Sequence, residues 1–96
     1  MNEYELCLVL NANLDEEQKT SDVEKVKSYI TRFGGNVIEP IEDWGKKKLA
    51  YEINHMKEGF YYFIQFEGNN TTPNELENNV RIMENVIRFL IIKQGA

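Results

Sequence analysis

The run FYYFIQFE, residues 60 to 67, admits few structural settings. Aromatic and aliphatic side chains fill both pleat phases, so the segment reads as a fully paired interior strand. A second run, EYELCLVL from 3 to 10, is apolar on both faces apart from Glu3 and Glu5, and reads as another central strand. Interior strands need outer ones, and the remainder of the chain supplies them.

Between 36 and 53 the residues Val37, Ile38, Ile41, Leu49, Tyr51 and Ile53 form short alternating sets. Pro40 cannot donate to a ladder and Gly45 marks an irregularity beside it, so this segment belongs at a sheet edge. VIRFLII, from Val86 to Ile92, closes the chain as another strand with Arg88 as its one charge. NANLDEEQ offers Asn13 or Asp15 as a helix cap, and Val23, Val26, Ile30 and Phe33 mark one buried stripe that ends at Gly34-Gly35. NHMKEG is turn-like. Thr72-Pro73-Asn74-Glu75 predicts a capping box opening a second, short helix that carries Leu76 and Val80. The order is strand, helix, strand, strand, helix, strand. Right-handed crossovers then interleave the halves into an α+β, ferredoxin-like βαββαβ fold, a four-stranded antiparallel sheet with two helices on one face. The other face keeps aromatic side chains without intrachain cover, which marks a binding surface.

At 96 residues, 42% of them apolar and 28% charged, the chain fits a single folded domain spanning 1–96. Cys7 is the only cysteine, so no intramolecular disulfide forms, and it reads as a small buried hydrophobe in a reducing compartment. The N-terminus has no targeting pattern and no segment has the apolar length of a membrane helix, which together predict a cytoplasmic protein.

No catalytic residues stand out. His55 is the sole histidine and sits in a turn; one histidine and one cysteine are too few for a structural zinc site, and no phosphate-binding glycine loop is present. The expectation is no enzyme, no metal, no cofactor and no small-molecule substrate. KEGFYYFIQF departs from the aromatic signature of RNA recognition motifs, with Tyr61 where a small residue belongs and Gln65 where an aromatic belongs. The informative stretch is EDWGKKKLAY, Glu42 to Tyr51, where a chain of net charge -5 gathers three lysines beside its only tryptophan. On a strand Lys46 and Lys48 share one face and Lys47 takes the other. Lysines also guard sheet edges against pairing with other chains. The functional reading is a phosphate-contacting patch of Lys46, Lys47 and Lys48 with Trp44 or Tyr51 packing against sugar or base, extended by Arg81 and Arg88. Trp44, Tyr61 and Phe63 are the candidate protein-partner contacts on the uncovered face. A rival reading is a self-associating regulatory or ligand-binding module of the same fold.

From Tyr4 to Lys93 the chain resembles the bacterial small-subunit ribosomal protein six family. The likeness is carried by Glu42-Asp43-Trp44-Gly45, the basic run, Leu49-Ala50-Tyr51 and Ile53. Tyr4-Glu5, Asn13-Leu14, Gly59, Leu76-Glu77, Arg81 and Val86-Ile87-Arg88 support it. The resemblance implies the ferredoxin-like fold and no catalysis. It also implies binding to the central domain of small-subunit ribosomal RNA and pairing with the small basic ribosomal protein eighteen. Such a partner would supply positive charge that an acidic chain lacks. Glu52 stands where members commonly have proline, and many members continue past the last strand in a polar tail where this chain has Lys93-Gln94-Gly95-Ala96.

Overall fold

Strand β1 (Asn2–Asn11) sends Tyr4, Leu6, Leu8 and Leu10 to one side, where all are buried. The computed structural model describes residues 2–53 and 56–94, and the side chains of these except 50–53 and 56. Helix α1 (Glu16–Arg32), strands β2 (Asn36–Ile53) and β3 (Met56–Gly68), helix α2 (Thr72–Val80) and strand β4 (Val86–Gln94) follow. The strands lie in the order β2-β3-β1-β4, all pairs antiparallel, with both helices on one face. This is the ferredoxin-like arrangement expected from the order of elements, with the two apolar runs as interior strands and β2 as an edge.

Both interior strands bury alternate residues against the helices. Tyr62, Ile64 and Phe66 of β3 meet the β1 set, and Val26, Ile30, Leu76, Val80 and Met83 close the layer. Each such side chain contributes about 1.5–3 kcal/mol on burial. Opposite residues are in register from Asn2 and Gly68 to Asn11 and Gly59. A Cβ at Gly59 would lie 2.5 Å from Val9 Cγ1, so this row of the sheet requires glycine.

Asp15 caps α1: its carboxylate accepts from the Gln18 N–H at 2.8 Å, and its own N–H donates to Gln18 Oε1 at 3.2 Å. Phe33, expected in the buried stripe, sits at the C-cap, half-buried and stacked on Tyr29. The capping box expected at Thr72 does not form. Thr72 is already helical and fully buried; its hydroxyl donates to the Phe33 carbonyl at 2.8 Å and accepts from the Asn69 N–H at 3.1 Å. Asn69 Oδ1 accepts instead from the N–H groups of Thr71 at 2.9 Å and Thr72 at 3.1 Å. The hydroxyl is used to join the start of α2 to the end of α1, which leaves the cap to Asn69.

The third strand starts earlier than its aromatic run predicts, taking in Met56 to Gly59 of the expected turn; Asn54 and His55 lie outside the described residues. Lys47 pairs with Gly59, Lys48 with Glu58 and Ile53 with Met56, whereas β1 reaches only to Gly59. The β2–β3 hairpin therefore runs on as a two-stranded ribbon past the end of β1.

Candidate nucleic-acid interface

Three exposed lysines stand where that ribbon leaves the sheet. Lys46 pairs with Phe60 and Lys48 with Glu58, which puts both on the helix side, while Lys47 pairs with Gly59 on the open side. The alternation expected of a strand is present, and cations therefore project from both faces of the ribbon. Lys46 Nζ lies 5.3 Å from the Phe60 ring centroid, a distance at which the ring's negative face attracts the ammonium. Lys57, also exposed, lines the same end with Lys48, Leu49 and Glu58. The sequence reading missed it by assigning NHMKEG to a turn; the only signal was that a long β2 needs an equally long partner.

Immediately before the lysines the ladder slips. Asp43 pairs with Tyr62 and Gly45 with Tyr61, leaving Trp44 as the extra residue of a bulge. Gly45 takes φ 74, a left-handed conformation that favours glycine, and its N–H donates to Asp43 Oδ1 at 2.9 Å. The bulge tips the indole onto the open face, where it contacts Phe63. Tyr61 and Phe63 are half-buried there, beside Cys7 and Val9 of β1 and Leu90 of β4. A depression of about 220 Å³ is lined by Cys7, Val9, Tyr61, Arg88, Phe89 and Leu90. Burial raises the Cys7 thiol pKa, with Arg88 acting to lower it and Glu5 to raise it.

Arg88 pairs with Val9, in the row that continues through Tyr61 to Gly45. It shares the open face and the same end of the sheet with Lys47, across three strand spacings of about 4.8 Å each. Arg81 is not brought to the lysines. It ends α2 on the β4 side of the molecule and forms an ion pair with Glu77 at 2.7 Å. The Tyr51 side chain lies outside the described residues. Among the described residues no group of three or more His, Cys, Asp or Glu is arranged to hold a metal ion.

The family model described as Ribosomal protein S6 matches residues 3–93. Over 92 residues the chain is 48% identical to the small ribosomal subunit protein bS6 of Clostridium acetobutylicum, covering 96% of each chain. With the corresponding protein of Clostridium novyi the identity is 44% over 92 residues, again 96% of each. A crystal structure of 30S ribosomal protein S6 from Thermotoga maritima matches with a TM-score of 0.89 and 32% identity, over 97% of this chain and 87% of that one.

Proposed function

This chain belongs to the ribosomal protein S6 family, a cytoplasmic constituent of the small ribosomal subunit, and from that premise we propose that it binds the central domain of small-subunit ribosomal RNA together with the small basic ribosomal protein eighteen. The observation that carries the RNA half is the ribbon, which holds Lys48 and Lys57 beyond the end of β1, with Lys46 and Lys47 on the last two rows that β1 reaches. Ammonium groups on such a projection meet phosphates without bringing the acidic body close, and each neutralised phosphate releases counterions. Arg88 and Lys47 add positive charge on the open face, Tyr51 belongs to the same contact region, and Arg81 acts at a separate point through the end of α2. Trp44, Tyr61 and Phe63 form the protein contact, which buries aromatic area that would otherwise face water. The role is architectural: phosphate contacts position the protein and leave sequence choice to the fold of the RNA.

A salt titration of RNA binding, with the basic partner present, tests this. Replacing Lys46, Lys47 and Lys48 by alanine is expected to weaken binding uniformly across RNA sequences. It should also flatten log affinity against log salt by up to about 2.7, at roughly 0.9 per phosphate. An unchanged slope would remove the ribbon from the interface.

A further inference from the structure

The open face is electrically divided along the strands. Its rows, read from the register, begin with Asn36, Glu67, Glu3 and Gln94, followed by Ile38, Gln65, Glu5 and Ile92. The Glu42, Phe63, Cys7 and Leu90 row comes next, and the last rows carry Arg88 and Lys47. One end is therefore acidic, the middle apolar except for Glu42 at its β2 edge, which accepts from the Trp44 indole, and the other end cationic. Six residues at about 3.4 Å each separate the Arg88 row from the Glu3 row by roughly 20 Å. Glu3 and Glu67 are directly opposite on the two central strands, where like charges destabilise a sheet. Cys7 lies between the two ends, in register with Phe63 and Leu90.

We propose that the Glu3, Glu5 and Glu67 end seats the basic protein partner, whose lysine or arginine side chains meet these carboxylates while an apolar ridge covers Phe63, Cys7 and Leu90. The assignment rests on the partner reading above and adds which end of the face the partner takes. Charge complementarity selects the occupant: a basic polypeptide lowers the repulsion between Glu3 and Glu67, whereas RNA phosphate would raise it. The cationic end is left to RNA, so the two ligands meet near Tyr61 and Arg88.

Calorimetric titration of the whole chain with the purified basic ribosomal partner, without RNA and at two salt concentrations, tests this. A triple variant with Glu3→Gln, Glu5→Gln and Glu67→Gln is expected to bind at least about tenfold more weakly, with a flatter salt dependence. A charge-matched control with Glu17→Gln, Glu75→Gln and Glu84→Gln should bind like the parent chain. The sheet variant should also unfold at higher denaturant, since it loses the like-charge pair; that shift shows it is folded and separates a docking role from a structural one. Alkylation of Cys7 should slow when the partner is bound. Equal loss in both triple variants, or loss in neither, would overturn the acidic seat while leaving the partnership standing. Absence of binding by the parent chain would overturn both.

Discussion

Trp44 rests on Phe63 with ring centroids 4.5 Å apart and planes inclined at 49°, and its indole N–H donates to Glu42 Oε2 at 3.0 Å. The bulge that produces this contact leaves the indole 53% exposed, so it is held in place yet wet. As the only tryptophan in the chain it reports directly on the open face. Binding of the basic partner is expected to shift Trp44 emission to the blue and reduce its quenching by acrylamide. An emission spectrum unmoved by saturating partner would take Trp44 and Phe63 out of the interface.

Much of this was legible in local chemistry. The Asp15 cap, the two interior strands and the split of Lys46 and Lys48 from Lys47 depend on neighbours a few residues away, and each appears where the sequence puts it. Thr72 was not legible, because its hydroxyl partner is the Phe33 carbonyl, 39 positions away. Lys57 was hidden by the length of β2, a property of pairing. Lys19 stands one turn before the apolar stripe and, though charged, has a buried side chain, with Nζ 3.8 Å from the Phe60 centroid and 2.6 Å from Glu16 Oε1. Its aliphatic stem covers apolar surface while the ammonium keeps a carboxylate and a ring.

Thr72→Val should destabilise the fold by about 1–3 kcal/mol, because the Phe33 carbonyl loses its donor and the Asn69 N–H an acceptor inside the protein. Thr72→Ser keeps both bonds and should retain most of the stability. Chemical denaturation of the two variants makes the comparison, and equal midpoints would show that the hydroxyl does not hold the helices together.

Burial, reinforced by the negative charges of Asp43 and Glu16, pushes the Tyr62 phenol from 10.0 up to about 12. The folded state holds this proton more tightly than the unfolded chain does. The resulting stability is fully present below pH 10 and is lost as pH rises towards about 12. Tyr62→Phe should remove that part of the alkaline loss. Denaturant midpoints followed through this window check it, and parallel curves for the two proteins would contradict the assignment.

Lys57 and Lys19 separate the phosphate-binding role of a lysine from a packing role. Lys57 is exposed at the end of the ribbon, so Lys57→Ala should leave the denaturation midpoint nearly unchanged. In the salt titration of RNA binding it should lower the slope by up to about 0.9, the share of one phosphate. Lys19 is buried on the sheet side of α1 with its ammonium committed to Phe60 and Glu16, so Lys19→Ala should cost about 1–2 kcal/mol of stability and leave the salt slope alone. Filter binding beside denaturation measures both quantities on the same proteins. A slope that falls with Lys19→Ala and not with Lys57→Ala would mean that the RNA lies along the helix layer, because only that path brings phosphate to Lys19 and away from the ribbon.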